Sequence, residues 1–221
     1  MKKVILFTII SVSLYSVAKA QISKGSILLG GGISINDTKY DQSSSSSEIK
    51  ENHISINPAV GIAIKDNLVA GIKLNYGRSE NSYDPSMFQP SLNESTSYGG
   101  GVFLRKYLQL GKGFYLFGDG SLDFTKYKEE QSYTPINAPS FQSIINKGWN
   151  VSLGFNPGIS YAINTKFHLE AGLPNLLILD YGKSKKDINF SGGVEKTTFR
   201  LGSNASSLSS FNFGFRFLFT K

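Results

Sequence analysis

The 221-residue chain contains no cysteine and only two histidines, His53 and His168. Disulfide bonds, thiolate metal centres and a cysteine-linked lipid anchor are therefore excluded. Two histidines are too few for the sites that hold zinc and other transition metals. We expect no metal site and no cofactor.

Long apolar runs are also missing, except at the amino terminus. There, two lysines precede an apolar run over 4–17, and "AKA" at 18–20 closes the segment with small residues. The run is shorter than the roughly 20 apolar residues that a membrane-spanning helix needs. The pattern predicts a cleaved secretory signal peptide over 1–20 and one mature domain over 21–221.

The excess of one charge sign is small. Without the three lysines of the predicted signal, 20 basic residues stand against 16 acidic ones, a net charge of +4. No basic run with interleaved aromatic residues occurs in the exported part. We therefore expect no nucleic-acid partner.

The mature chain shows strict alternation of apolar and polar residues where a helical protein would show a period of 3.6. The segment "HISINPAVGIAI" at 53–64 places apolar residues at even positions, and "GWNVSLGFNPGISY" at 148–161 places them at odd positions. Successive side chains of a strand point to opposite faces. Each segment therefore predicts a strand with one apolar face and one small, polar face.

Eight such segments can be counted, and their connections carry the topology. The predicted strands lie at 24–36, 51–64, 68–79, 95–108, 114–127, 147–162, 167–182 and 207–219. Short connections at 65–67, 109–113 and 163–166 alternate with long polar ones at 37–50, 80–94, 128–146 and 183–206. This alternation is typical of membrane barrels with tight periplasmic turns and longer outer loops. The predicted fold class is all-β, an eight-stranded antiparallel up-and-down transmembrane β-barrel.

Alternation alone does not say which face is outside, since a soluble β-sandwich or a lipocalin-like barrel would turn its apolar face inward. An eight-stranded lumen is only wide enough to be filled by side chains, which suits Gly148, Ser152 and Gly154. We therefore predict that Ile, Leu and Phe face lipid. Aromatic residues are expected at both membrane interfaces. The outer set is Tyr76, Tyr98, Tyr127, Trp149 and Tyr181, and the inner set is Tyr107, Phe114, Tyr161 and Phe167.

The carboxyl terminus carries phenylalanine at every second position from 211 to 219. A plain edge strand of this kind would be an aggregation hazard. The stretch resembles the C-terminal assembly signal of bacterial outer-membrane proteins, at the positions Asn212, Gly214, Phe217 and Phe219. The resemblance implies recognition by the barrel-assembly machinery. It departs from the usual pattern in that two further residues, Thr220 and Lys221, follow the last aromatic.

The whole mature chain resembles the small OmpA/OmpX-type barrels, in particular the porin-family β-barrel domains of that superfamily. The hairpin "VGIAIKDNLVAGIKLNYG" at 60–77 and the hairpin "GGVFLRKYLQLGKGFYLFGDGSL" at 100–122 carry this resemblance. It implies the fold and the cell outer membrane as location. It implies no activity, because the group includes adhesins, stress-linked barrels and members without an assigned role.

Charged residues on the polar faces predict a salt-bridge lattice that plugs the lumen, because a charge buried away from water must be paired. Counted from the short turns, Lys73, Arg105 and Asp119 lie at similar depth on three consecutive strands. Glu170 and Arg216 are matched in the same way on the last two strands.

Two further motifs could carry chemistry. Some outer-membrane barrels are lipid-modifying enzymes with a His and a Ser near the rim, and His53 has Ser55 on the same face. No acid stands at a triad spacing, so a hydrogen-bonded rim imidazole is the favoured interpretation. The glycine triplets at 30–32 and 99–101 lack a following helix, which favours kinks and tight packing over a phosphate loop.

These patterns favour a non-enzymatic barrel with a plugged polar lumen and a structural or surface-interaction role through its long loops. The alternatives are a narrow pore for ions or small solutes and a lipid-modifying enzyme at the rim. Expected partners are outer-membrane lipid, the phosphates of lipopolysaccharide and the barrel-assembly machinery, while an extracellular partner is unknown. The basic residues of the 183–206 connection would meet those phosphates or would simply be solvated. They are Lys183, Lys185, Lys186, Lys196 and Arg200.

Overall fold

The computed structural model describes residues 22–42, 47–84, 91–133, 142–188, 191–203 and 212–219. These ranges form ten strands: β1 (Ile27–Gln42), β2 (Ser47–Lys65), β3 (Leu68–Asp84), β4 (Ser91–Gly111), β5 (Phe114–Tyr133), β6 (Gln142–Ala162), β7 (Phe167–Gly172), β8 (Leu177–Ile188), β9 (Ser191–Gly202) and β10 (Asn212–Phe219). None of these ranges contains a helix that is long and apolar enough to cross a membrane.

All strand pairs are antiparallel, and the sheet closes on itself. Consecutive strands pair from β1 to β7, β7 pairs with β10, and β10 pairs with β1, so that eight strands form a ring. The closing ladder joins 27–31 of β1 to 215–219 of β10. The predicted all-β antiparallel architecture is confirmed, as a ten-stranded sheet that contains an eight-membered ring.

The prediction of one unbroken seventh strand over 167–182 and of a loop over 183–206 is wrong. β6 pairs with β7 near its turn end and with β8 further along, so β7 and β8 occupy one lane that is interrupted at 173–176. The chain then returns as β9, which pairs with β8 along most of the predicted loop. Pro174 lacks a backbone N–H and Asn175 has a positive φ of 52°, which together explain why the ladder breaks there.

The other strands run further than the alternation predicted. β4 begins at Ser91 and β5 continues to Tyr133, where loops were expected from 80 to 94 and from 128 to 146. In these extensions both faces are polar, so the sequence pattern disappears while the backbone ladder continues. The parts of the predicted loops at 43–46, 85–90, 134–141, 189–190 and 204–206, and positions 207–211 of the predicted last strand, lie outside the described residues.

The short connections lie where the sequence placed them. β2 and β3 are joined by Asp66 and Asn67, and Asn67 has a positive φ of 59° that asparagine tolerates. The segment before β1 folds against this turn: the N–H of Ile22 donates to Asn67 Oδ1 at 3.1 Å, and the N–H of Asn67 donates to the carbonyl of Ile22 at 2.9 Å. Ile22 is buried there.

Apolar side chains point away from the ring axis, as predicted. Ile62, Phe155 and Phe215 expose 50%, 41% and 40% of their surface. Asn57 and Asn156, on the opposite face, line an interior cavity. Two aromatic residues depart from the predicted interfaces, because Tyr107 is buried in the interior and Tyr127 also lies on the inward face, against Gly148.

Candidate functional site: the charged interior of the ring

The interior of the ring is organised around Arg105 of β4. Its Nε and Nη2 atoms donate to Asp119 Oδ2 on β5 at 2.9 and 2.6 Å, and its Nη1 atom donates to Glu170 Oε2 on β7 at 2.7 Å. The three side chains expose only 5 to 8% of their surface. Arg105 and Asp119 are direct register partners, which places the guanidinium fork against the carboxylate.

Glu170 is held by three groups rather than by one. Besides Arg105, the hydroxyl of Tyr107 donates to Glu170 Oε1 at 2.9 Å, and Arg216 Nε lies 3.2 Å from Oε2. The two carboxylates and two guanidinium groups balance in charge, which is what burial away from water requires. The structure thus brings together Arg105, Asp119, Glu170 and Arg216, and Tyr107 completes the cluster.

Lys73 does not belong to this cluster. Its Nζ lies 3.0 Å from Asp123 Oδ2, and both side chains are partly exposed to the interior cavity. Gly101 stands between them in register, and a Cβ there would clash with the carboxylate of Asp123. Because Gly101 has no side chain, Lys73 on β3 reaches across β4 to β5, and the expected grouping with Asp119 is wrong.

Two inward phenylalanines pack the cluster against glycines. Phe117 carries the guanidinium of Arg105 at 4.4 Å from its ring centroid, a favourable cation–π distance. A Cβ on Gly158 would lie 2.5 Å from the carbonyl oxygen of Ala171 and would also strike the Phe117 ring. On the other side, a Cβ on Gly71 would lie 2.6 Å from the Phe103 ring. These glycines make room for rings that a larger residue would displace.

The turn end of the interior is closed by side chains. Tyr107 and Tyr115 are fully buried and meet edge to face at 6.1 Å. His168 stacks on Tyr115 at 5.6 Å, and its Nδ1 lies 3.2 Å from Ser160 Oγ. Further apolar residues complete this closure: Leu28, Ala63, Val69 and Leu218.

The other end holds a cavity of about 420 Å³. The charged cluster forms its floor, and Asn57, Asn75, Ser152 and Thr125 contribute polar walls. Asp119 Oδ1, which is buried, has no hydrogen-bond partner among the described residues. The cavity is therefore polar and closed toward the turns by the cluster.

The break between β7 and β8 shapes one wall of this cavity. The N–H of Asn175 donates to Asn156 Oδ1 at 2.6 Å, and the N–H of Leu173 donates to the carbonyl of Pro157 at 2.9 Å. The side chain of Asn175 lies close to Gly154 on the inward face. The interrupted lane thus turns a backbone segment toward the interior, where β6 accepts the N–H groups of Leu173 and Asn175.

His53 has no acidic register partner. It is exposed, and the residues opposite it are Asn36 on β1 and Ser79 on β3. An imidazole acting as a general base needs a nucleophile within hydrogen-bond reach and a group to orient it. Ser79 and Asn36 flank His53 in register, but the His53 side chain makes no hydrogen bond among the described residues, and the Ser160–His168 pair is buried.

The predicted assembly signal lies on β10. Its two phenylalanines, Phe217 and Phe219, point outward together with Phe213 and Phe215. Gly214 approaches β1 so closely that a Cβ would lie 3.1 Å from the carbonyl oxygen of Gly31. Asn212 begins the strand as the register partner of Gly172. Phe211, Thr220 and Lys221 lie outside the described residues, and recognition by the assembly machinery stays a prediction.

The basic residues of the predicted 183–206 loop divide between two faces. Arg200 of β9 turns inward and donates from Nε to Asp180 Oδ2 at 2.7 Å. Lys183 and Lys185 of β8 point outward, as the register with Trp149 and Lys147 of β6 shows. Lys186 and Lys196 follow the alternation on the opposite face. The five basic residues therefore do not form one surface.

Sequence reasoning missed Tyr107, Asp123 and Asp180 as interior polar groups. Tyr107 lies two positions beyond Arg105, and Asp123 lies four beyond Asp119, so alternation alone places each on the inward face. Asp180 was hidden because its partner Arg200 stood in a presumed loop. The Pro174-Asn175 pair was the signal for the interrupted lane.

The chain shows only low similarity to known proteins. No protein family model and no curated protein sequence matches the chain. Among solved structures, the outer membrane protein OprG from Pseudomonas aeruginosa is 11% identical over 90% of this chain and 98% of its own, with a TM-score of 0.44. The translocator domain of the autotransporter NalP from Neisseria meningitidis is 18% identical over 100% of this chain and 76% of its own, with a TM-score of 0.40. A major outer membrane protein from Thermus thermophilus is 11% identical over 88% of this chain and 99% of its own, with a TM-score of 0.40. Values this low do not identify a family.

Proposed function

We propose that the chain is an integral outer-membrane β-barrel of the small OmpA/OmpX type, with a lumen sealed at its turn end and no catalytic activity. Its role is structural or is exerted through the outer ends of its strands. The observation that carries the proposal is the reversed distribution of side chains around the closed ring, with apolar residues outside and a paired ionic cluster inside.

The outer surface supports the membrane location. Isolated exposed apolar residues are ordinary in soluble proteins, but a continuous apolar belt is not. On β5, outward side chains from Phe114 to Phe124 are large and apolar except for Gly118 and Gly120. Ten steps at about 3.3 Å, tilted by about 40°, give a height of about 25 Å, which matches the apolar band of such barrels.

Aromatic residues border this band at both ends. Phe114 and Tyr161 meet at 4.6 Å, and Phe167 and Phe217 at 5.0 Å, near the short turns. Tyr76, Tyr98 and Trp149 lie at the other end of the exposed apolar face. Amphipathic rings favour the interface between hydrocarbon and water, which supports both the position of the barrel and its depth.

The interior supports a sealed lumen over a pore. Arg105, Asp119, Glu170 and Arg216 neutralise one another across the ring, and Tyr107 and Tyr115 fill the space beneath them. An ion that crossed this level would have to open charge-assisted hydrogen bonds in a site that is buried from solvent. The long strand extensions toward the other end remain the surfaces on which a partner would dock.

Cell fractionation of a host that expresses the full chain tests the location. We expect the protein in the outer-membrane fraction, resistant to extraction with alkaline carbonate, and with a folded form that migrates differently from the boiled form on a gel. Recovery in the soluble periplasmic fraction would contradict the proposal.

Planar-bilayer recording tests the seal. We expect no steady large conductance from the wild-type protein, and measurable leakage from the double variant Tyr107→Ala and Tyr115→Ala, which removes the rings beneath the cluster. The matched control, Tyr76→Ala with Tyr98→Ala, trims two outward rings and should stay silent. Steady large conductance in the wild type would favour the narrow-pore alternative.

A further inference from the structure

Outside the ring, near the outer border of the apolar band, three lysines surround the chain's single tryptophan. Trp149 of β6 has Lys126 of β5 and Lys183 of β8 as its direct register partners on either side. Lys147 lies two residues from Trp149 on the same outward face of β6. Partners in register stand about 5 Å apart at Cβ, so the lysine side chains of 126 and 183 begin directly beside the indole.

These lysines are exposed, and the ion pairs found among the described residues do not include them. Their nearest outward neighbours differ in this respect: Lys128 pairs with Glu130 at 2.6 Å, and Lys185 pairs with Asp187 at 3.4 Å. Of five outward lysines on β5, β6 and β8, the two further along the strands are neutralised by carboxylates. The positive charges of the three lysines around Trp149 are therefore available to an external anion.

The tryptophan is held in a fixed orientation. Its ring stacks on Phe124 at 6.2 Å and meets Tyr181 edge to face at 5.9 Å. Both rings belong to the apolar belt, in the next outward row toward the turns. The indole therefore marks the level at which the apolar surface ends and the cationic surface begins.

Beside this cluster the apolar belt has a notch of about 690 Å³. Leu74, Gly100 and Phe124 are register partners on β3, β4 and β5, and Gly100 contributes no side chain to the outward row. Pro58 and Tyr98 also border the notch, and Lys126 lies at its edge. An acyl chain fits an apolar groove of this kind, and a head group at the end of that chain would stand at the lysines.

Resting on the proposed membrane location, we propose that this surface is a binding site for a membrane lipid whose head carries a phosphate monoester, such as the phosphorylated lipid of lipopolysaccharide. Lys126, Lys147 and Lys183 bind the phosphate, and the notch at Gly100 holds one acyl chain. Charge complementarity selects this occupant, because three exposed lysines on neighbouring strands favour a head with more than one negative charge. The site differs from the contact expected of the 183–206 connection, since two of its three lysines lie on β5 and β6.

Trp149 provides the measurement, because a brominated acyl chain quenches tryptophan fluorescence on contact. The full-length protein is reconstituted into phosphatidylcholine vesicles that contain a small fraction of either brominated phosphatidic acid or brominated phosphatidylcholine. We expect phosphatidic acid to quench at about a tenfold lower mole fraction than phosphatidylcholine, and this preference to shrink as salt is raised. Equal quenching by the two lipids would overturn the proposal.

The triple variant Lys126→Gln, Lys147→Gln and Lys183→Gln should abolish the preference while quenching by brominated phosphatidylcholine persists. The matched control, Lys65→Gln with Lys112→Gln and Lys166→Gln, removes three exposed lysines at the turn end and should keep it. A preference that survives in the first variant, or that is lost equally in the second, would show that the site is wrongly placed.

Two further arms separate the head from the tail. Gly100→Ala places a methyl group in the notch and should reduce the preference, whereas an unchanged preference would overturn the assignment of the acyl chain. Millimolar inorganic phosphate should leave the preference largely intact, and full displacement would overturn binding of a whole lipid. If brominated phosphatidylcholine itself fails to quench Trp149, the proposed membrane location fails, and that outcome is distinct from a mere lack of preference.

Discussion

The turn half and the outer half of this ring share one backbone ladder but differ in what fills them. Near the turns, Arg105 and Glu170 lie in a buried layer of aromatic rings and glycines, while further out Lys73 and Asp123 line a polar cavity. The outward surfaces differ in the same direction, from apolar to charged. The comparison shows that a closed ladder fixes the shape of the molecule, while the interior contents decide where its stability lies.

The largest difference should appear when a cation is removed from each half. Arg105→Leu leaves Asp119 and Glu170 without their shared partner and should lower the free energy of unfolding by about 3–5 kcal/mol. Lys73→Met removes the comparable cation from the wetter cavity and should cost about 1 kcal/mol or less. Urea unfolding in lipid vesicles, followed by Trp149 fluorescence and by gel mobility, measures both. Equal losses would show that the two halves do not differ in this way.

Arg216→Leu should be milder than the loss of Arg105. Glu170 keeps Arg105 and the Tyr107 hydroxyl after this change, so we expect a loss of about 1–2 kcal/mol in the same unfolding assay. The double variant with Arg105→Leu should lose less than the sum of the two single losses, since the groups act on one carboxylate. Additive losses would indicate that Arg216 stabilises the barrel through other contacts.

A methyl group tests the packing of the two halves. Gly158→Ala presses on the Phe117 ring and on the carbonyl of Ala171, and should cost about 1–3 kcal/mol through overpacking. Gly32→Ala serves as the control, because the nearest atom to its Cβ is 3.7 Å away, an ordinary contact distance. We expect it to change stability by less than about 0.5 kcal/mol. A large loss at Gly32 would extend the tightly packed region outward.

The smallest effect is expected at an exposed pair on the outer extensions. Arg78 and Glu94 approach to 3.5 Å with both side chains about half exposed. Glu94→Gln should change the free energy of unfolding by less than about 0.5 kcal/mol, because water screens such pairs. A loss comparable to that of Arg216→Leu would mean that the outer extensions contribute far more stability than their exposure indicates.

Much of the fold was readable from the sequence because the alternation has period two and the turns are short. The turn at Lys112 and Gly113 alone would set Arg105 opposite Gly120. A bulge at Leu110 shifts the register by one residue and sets Arg105 opposite Asp119. Depth counting failed for Lys73 because β3 is staggered against β4. Val69 is the residue opposite Arg105, and Lys73 lies opposite Gly101, whose own partner on β5 is Asp123. Gly101 made the longer reach to Asp123 possible.

The remaining errors share one physical origin. Apolar alternation can be read only where one face of a strand is apolar, so the signal stops where the apolar belt stops, while hydrogen bonds between strands continue. β5 therefore runs on to Tyr133, and β9 forms where only a polar loop was expected. To predict the interior cluster, one must know which residues are neighbours across strands. A single sequence gives this information only where a tight turn fixes the pairing.

The short peptide before β1 has a practical consequence. Ile22 is buried at the turn end of the ring and is hydrogen-bonded to Asn67 of the first turn. The N–H of Lys24 donates to Asp66 Oδ1 at 2.9 Å. These residues cover the turn end of the ring. If a protease removed a few residues beyond the predicted cleavage point, the contacts of Ile22 and Lys24 with the first turn would be lost. An affinity tag fused directly to this peptide, without a spacer, would disrupt the same contacts.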